Sequence, residues 1–480
     1  MTDPIQARSN QPAASYNVAF TWTISLVAAL GGLLFGYDWV VIGGAKPFYE
    51  KFFNLISSSQ QGWAMSCALL GCLAGALISG GLSDRFGRKR LLILSAALFA
   101  VSSIGTGMAQ TFAAFVRWRI SGGVAIGLAS NLSPMYIAEI SPAHVRGKMV
   151  SVNQLTIVIG ILLAQFVNWL IARPVPASAT AQDILNSWNG QIGWRWMFAA
   201  TAVPALVFLV GMLAVPESPR WLAKAGRRDD ALSVLKRVVG TRATGDLAAI
   251  ESSLSHQPEK TNLKALLSPG MGAVLLLGIG LAVFQQWCGI NVIFNYAQEV
   301  FSGAGYKVSD ILFNIVITGA VNLVFTLVAM ALVDRAGRRV LMLLGSAGLA
   351  IIYTMLGAGY HHGSQGVFML LLVVAAIACY AMSLAPVTWV VISEIFPNRI
   401  RGEAMSIAVI SLWIACFVLT YTFPLLNSSI GPAMTFWIYA AVCALGFLFV
   451  NFRLPETKGK TLEEIEKHWT GGDAVAEPSS

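Results

Sequence analysis

Acidic side chains are few in this chain, and one of them stands where charge is costly. Of 23 Asp and Glu residues, Asp38 alone lies well inside an apolar stretch. Asp84, Glu139, Glu299, Asp334, Glu394 and Glu403 border such stretches, and the others fall in loops and tails. An ionisable group at the centre of a hydrocarbon layer costs about 3 kcal/mol or more, so it persists where it has a partner and a task. Arg119 is the matching cation. Asp38 is about six residues from the outer end of its stretch and Arg119 about seven from the outer end of its own, which at 1.5 Å per residue puts both roughly 10 Å deep. A second concentration of chemistry is Gln285, Gln286 and Asn291. Amides donate and accept hydrogen bonds at once. The three do not share one ideal helical face, but Gly289 between them permits a local break that aims all of them at a cavity. Plain interhelical hydrogen bonding is the competing role for such amides.

The elements that must hold these groups are membrane helices. The 480 residues are 56% hydrophobic and 11% charged, with a mean hydropathy of +0.68, against about 25% charged in soluble domains. A water-soluble fold is excluded. Apolar stretches run at 18–44, 62–82, 91–109, 112–137, 149–171 and 194–215, then at 271–299, 309–332, 340–360, 368–393, 403–426 and 432–453. Between the two sets of six lies one long polar stretch, 216–270, in which Asp229 to Val239 has the 3.6-residue pattern of an amphipathic surface helix. The net charge of +9 punctuates the apolar stretches and forms no basic face, so no nucleic acid partner is expected. With these spans, 25 of the 32 Lys and Arg fall on the side of the termini and the linker, which predicts that side to be cytoplasmic. Residues 1–17 lack the apolar core of a signal peptide. All six cysteines sit in apolar segments without short ligand spacings, so neither disulfide nor metal is expected.

The two sets of six repeat each other. Asp84-Arg-Phe-Gly-Arg-Lys returns as Asp334-Arg-Ala-Gly-Arg-Arg. Tyr136-Ile-Ala-Glu-Ile, followed by Arg146-Gly, returns as Val391-Ile-Ser-Glu-Ile, followed by Arg401-Gly. Pro216-Glu-Ser-Pro-Arg returns as Pro455-Glu-Thr-Lys-Gly. Three landmarks in the same order on the same side predict two parallel six-helix repeats with a substrate site between them. The division is a tail 1–17, a half 18–215, a linker with helical pieces 216–270, a half 271–453 and a tail 454–480. A transporter is the expectation, and no nucleophile and base set points to an enzyme.

These residues also carry a resemblance. Gly31-Gly-Leu-Leu-Phe-Gly-Tyr-Asp38, the two Asp-Arg-x-Gly-Arg loops, Arg119-Ile-Ser-Gly-Gly, Pro216-Glu-Ser-Pro-Arg-Trp-Leu, Gln285-Gln286 with Gly289-Ile-Asn291, and Pro455-Glu-Thr-Lys-Gly-Lys resemble the sugar porter family of the major facilitator superfamily, from about residue 18 to 469. The nearest pattern is that of bacterial proton-coupled xylose and hexose symporters, with the glucose facilitators as relatives. The resemblance implies an all-α fold of twelve helices, residence in a bacterial inner membrane, a monomer, no cofactor, and a sugar and a proton as partners. It makes Asp38 with Arg119 a proton switch, for which a static salt bridge is the alternative. It assigns sugar contact to Phe35, Gln154, Gln285, Gln286, Asn291, Asn295, Trp389 and Trp413, for which packing or interface anchoring of the tryptophans is the alternative. It assigns a cytoplasmic gating network to Asp84, Arg85, Arg88, Glu139, Arg146, Glu217, Arg220, Asp334, Arg335, Arg338, Glu394 and Arg401. The chain departs from the pattern at Asn295, where many relatives have Tyr, at Leu412, where they have Gln or Asn, and at Ala385, where they have Gly. A sugar or polyol uniporter remains the alternative function, and a non-transporting sugar sensor would need a signalling extension.

Overall fold

The computed structural model describes residues 16–176, 178–255, 271–396, 401–456 and 458. For Asp334 and Arg401, both expected in the charge network, the side chains lie outside the described residues. Among the described residues the chain is helical, with no β-strand. That is what a bilayer demands, since a helix satisfies its backbone groups within itself. The first half contains α1 (Val18–Phe52), α2 (Ser58–Phe86), α3 (Arg88–Met108), α4 (Phe112–Ile140) and α5 (Arg146–Ile171). Its sixth span opens on a π turn, Asn189–Gly193, and continues as α6 (Trp194–Ala200) and α7 (Ala202–Ala214). Side-chain caps start α1 and α4: Asn17 accepts from the Phe20 N–H, and Thr111 accepts from that of Ala114.

The linker holds α8 (Pro219–Lys224), α9 (Arg228–Val239) and α10 (Ala243–Ser255). The predicted surface helix is α9, whose Ala231, Val234, Leu235 and Val238 are buried. The second half contains α11 (Met271–Trp287), α12 (Ile290–Asn295), α13 (Ala297–Gly303), α14 (Val308–Ala336), α15 (Arg338–His361), α16 (Val367–Met382), α17 (Leu384–Ile395) and α18 (Arg401–Arg453). Here the apolar stretches of the sequence are recut. The seventh becomes three pieces, broken at Gly289 (φ 87°, ψ −8°) and at Tyr296. The tenth breaks at Ser383 (φ −127°, ψ −87°). The eleventh and twelfth join in one helical run whose non-helical point is Gly431 (φ 80°), just before Pro432.

The largest departure from the sequence spans is in α1, which continues past residue 44 to Phe52. Lys46, Pro47, Glu50 and Lys51 lie beyond the predicted apolar stretch, yet Lys46 is 1% exposed and Pro47 lies inside the helix. Asp38 is therefore more than three turns from the outer helix end. The extension is held by packing: Tyr49 stacks on Phe115 at 5.1 Å between ring centroids, and Phe52 lies 5.4 Å from Trp194.

Within the first half, α2 and α4 meet backbone to backbone. A Cβ on Gly71 would lie 2.1 Å from the Ile120 carbonyl oxygen, and one on Gly123 would lie 2.0 Å from that of Ala68. Gly75 and Gly127 repeat the contact one turn on, at 2.3 and 2.2 Å from the carbonyl oxygens of Val124 and Cys72. Small residues four apart on both helices permit this approach.

Candidate functional site

Helix α1 carries Phe35 and Asp38 on consecutive turns, and α4 brings Arg119 to them. Arg119 Nη1 donates to Asp38 Oδ1 at 2.6 Å, with both residues about nineteen parts in twenty buried. The guanidinium also lies 5.4 Å from the centre of the Phe198 ring. A charge-assisted bond of this length partly offsets the cost of burying the two ions, and removing one partner would strand the other. Asp38, Arg119, Phe35 and Asn295 line one small cavity, together with Trp39 and Met65. Trp39 packs edge-on against Phe35 at 5.7 Å. The sequence offered no signal for Trp39 beyond its position next to Asp38.

The amides of the second half form a relay. Asn291 Nδ2 donates to Gln286 Oε1 at 2.6 Å, Gln286 Nε2 donates to Gln285 Oε1, and Gln285 Nε2 donates to the Tyr380 hydroxyl oxygen at 2.6 Å. The break at Gly289 makes this possible, because its left-handed backbone turns α12 so that Asn291 reaches back to Gln286. Tyr380, on α16, is the member that sequence reasoning missed. All four side chains are buried, and a hydroxyl-rich ligand can exchange these internal bonds for its own. Asn295 is buried with no protein partner for its Oδ1. Phe35 meets Trp413 at 5.9 Å, which joins α1 to α18 across the halves. Leu412, beside Trp413, is buried. Gln154 is half-buried on α5, and Trp389 is 36% exposed; neither hydrogen-bonds to the other candidates among the described residues.

At the end of the bundle where the linker packs, each Asp-Arg-x-Gly-Arg loop is a single-residue break. Gly87 (φ 93°, ψ 163°) alone separates α2 from α3, and Gly337 (φ 92°, ψ 151°) alone separates α14 from α15. That backbone region is almost confined to glycine. A Cβ on Gly87 would also lie 2.3 Å from Glu217 Oε2. Glu217 accepts from the backbone N–H groups of Arg88 and Lys89 and so caps α3. Burial pushes the Glu217 carboxyl above its ordinary pKa, while the N–H groups of Ser218, Lys89 and Arg88 and the Arg88 guanidinium pull it back. Arg88 reaches Glu139 at 2.9 Å and Asp84 at 3.3 Å, and Lys224 holds Asp84 at 2.9 Å. The second half repeats the arrangement. Arg338 pairs with Glu394 at 3.2 Å, and Glu456 accepts from the N–H groups of Arg338 and Arg339. Glu456 is the counterpart of Glu217 and belongs with the network. Arg85 lies over the Phe86 ring, and Arg146, Arg220 and Arg335 make no ion pair among the described residues.

Among the described residues, Arg88 pairs with Asp84 and Glu139 inside the first half, Lys224 ties Asp84 to the linker, and Arg338 pairs with Glu394 inside the second half. At the far end, bonds cross between the halves: Lys46 with Glu299, Ser59 with Tyr421 at 2.8 Å, Ser58 with Ser428 at 3.0 Å, and the Val175 N–H with Ser309 at 3.0 Å. The far end is therefore sealed.

Residues 24–469 match the family described as Sugar (and other) transporter. The chain is 41% identical to the D-xylose-proton symporter of Escherichia coli (strain K12), over 95% of this chain and 96% of that one. It is equally 41% identical to the arabinose-proton symporter of Bacillus subtilis (strain 168), over 97% and 99%. Among solved structures, the inward open conformation of the xylose transporter XylE from E. coli superposes with a TM-score of 0.82 at 39% identity, covering 94% of this chain and all of that one. XylE bound to 6-bromo-6-deoxy-D-glucose gives 0.77 at 40% identity, covering 95% of this chain. With the repeated charge loops, the broken helix carrying the amides and a family match across nearly the whole chain, this protein belongs to the Sugar (and other) transporter family, with the fold of the major facilitator superfamily.

Proposed function

We propose that this protein is a proton-coupled monosaccharide symporter of a bacterial inner membrane, which takes up a pentose or hexose by alternating access between halves 18–215 and 271–453. The linker 216–270 and both tails, 1–17 and 454–480, are on the cytoplasmic side. It acts as a monomer, without catalysis and without nucleic acid. The observation that carries the reading is the 2.6 Å Asp38–Arg119 pair, set in the same cavity as Phe35 and Asn295. Protonating Asp38 removes the attraction that ties α1 to α4, so a conformation with the two helices differently disposed becomes accessible once new contacts offset the lost one. Sugar is held by Gln285, Gln286, Asn291 and Asn295 from the second half and by Gln154 from the first, with Phe35, Trp389 and Trp413 against its apolar face. The charge groups of the linker side act as a latch between the halves in the opposite, outward-facing state. The bonds that cross between the halves at the far end, Lys46 with Glu299 and Ser59 with Tyr421, support an inward-facing molecule.

One proton entering across about 100 mV supplies about 2.3 kcal/mol, and one pH unit adds about 1.4 kcal/mol. Together they sustain a sugar gradient of roughly several hundred-fold. In proteoliposomes, D-xylose, L-arabinose or D-glucose should drive proton entry with the wild type. Asp38→Asn, whose amide mimics the protonated acid, should exchange sugar yet fail to concentrate it. Accumulation by Asp38→Asn under an imposed pH gradient removes Asp38 from the coupling, and sugar entry without any proton flux in the wild type makes the protein a uniporter.

A further inference from the structure

We infer that Lys46, Glu50 and Glu299 form an electrostatic catch that closes the outer gate of the transport path. Lys46 is 1% exposed on α1, two turns beyond Asp38. It is paired with Glu50 at 2.8 Å on its own helix and with Glu299 on α13, across the boundary between the halves. The Tyr296 ring lies 5.4 Å from its ammonium. A buried ammonium held by carboxylates from both halves is costly unless both pairs are made, so its place in the fold depends on the gate being shut.

The neighbouring geometry ties this catch to the sugar site. Gly43, one turn below Lys46, brings the backbone of α1 against α12, where a Cβ would lie 3.0 Å from the carbonyl oxygens of both Phe294 and Asn295. Glu299 is one turn beyond Asn295 along the outer pieces of the broken helix, and Asn291 is one turn before it. Sugar held by Asn291 and Asn295 therefore fixes the segment that presents Glu299 to Lys46. When α12 and α13 swing away, Glu299 leaves for water while Glu50, on the same helix as Lys46, keeps the ammonium neutralised. The ammonium has two carboxylates to choose from, and its distribution between them sets how tightly the gate closes. The inference rests on the transport reading only for the existence of two access states.

The test uses single-cysteine labelling from the outer side. Met65 lines the Asp38 cavity and is 4% exposed in this sealed state, so Met65→Cys, with all six native cysteines replaced by Ala, reports opening to an impermeant maleimide. Lys46→Met leaves two carboxylates facing each other and should raise the labelling rate by about tenfold. Glu299→Gln should raise it less. Glu50→Gln frees Lys46 for Glu299 alone and should lower it. Glu299→Gln added to Lys46→Met should bring the rate part of the way back. A purely structural cluster would loosen with every variant, so labelling that rises in Glu50→Gln as in Glu299→Gln overturns the catch. So does unchanged labelling in Lys46→Met. The readout needs no proton gradient, and a failure of Asp38 as coupling site leaves it intact.

Discussion

A single side chain in the amide relay has two jobs, since Gln286 accepts from Asn291 while donating to Gln285. Removing it breaks the relay in two places and, if the relay binds sugar as proposed, leaves buried partners on the ligand unpaired. Gln286→Ala or Asn291→Ala should therefore weaken every bound sugar by about 1 to 3 kcal/mol. Leu412 is different in kind. It is buried and offers no polar group, so Leu412→Gln should strengthen only sugars bearing a hydroxyl on that side, by up to about 1.5 kcal/mol. Titrations with a panel of deoxy sugars separate the two behaviours, and equal affinities for Gln286→Ala and wild type would move the pocket elsewhere. Residues of this kind were legible in the sequence to the degree that they break a rule. Asp38 and Arg119 are charges in hydrocarbon, and the amide cluster flanks a glycine. Tyr380 breaks none, because a phenol in an apolar run is ordinary packing until a partner is seen. Lys46 lies beyond the apolar stretch that ends at residue 44, and hydropathy is silent on it; its pairing with Glu50 is local, but the one with Glu299 is made across the halves and is invisible in the sequence.

Among the elements, the broken seventh span most needs its sequence. Gly289 sits at φ 87°, and a Cβ there would fall 2.8 Å from the Tyr439 ring. An L-residue in that region costs about 1 to 2 kcal/mol before any clash. Gly289→Ala should consequently insert in the membrane and fold, but misdirect α12 and lose sugar affinity by about tenfold or more. A binding isotherm like that of the wild type, alongside normal thermal stability, would mean the hinge tolerates a methyl group. Element boundaries elsewhere followed hydropathy well, to within a few residues for α3, α4, α5 and α15. They failed where the backbone bends inside an apolar run, at Tyr296, Ser383 and Gly431, since hydropathy reports what a residue is buried in and is silent on the direction of the chain.

At the scale of the whole molecule, the repeated loops of the two halves were readable as motifs, while their job as one-residue breaks was not. The turn needs the glycine, the following helix needs an acid at its N-terminus, and the acid comes from Glu217 or Glu456, more than a hundred residues away. If these loops latch the halves in the outward-facing state, Asp84→Asn should raise the inward-facing population. Labelling of a cysteine introduced on the linker side would then accelerate, and unchanged labelling with normal transport would reduce Asp84 to the local partner of Lys224 and Arg88 seen here. The seam between α2 and α4 has a different consequence, one for evolution. Four glycines there leave no room for even one methyl group, so half of the rocking machine is nearly closed to variation along that line. New sugar preferences are then expected among the residues proposed to face the sugar, on α1, α5, α11, α12, α17 and α18. A library meant to retarget the transporter should find its survivors there and almost none at Gly71, Gly75, Gly123 or Gly127.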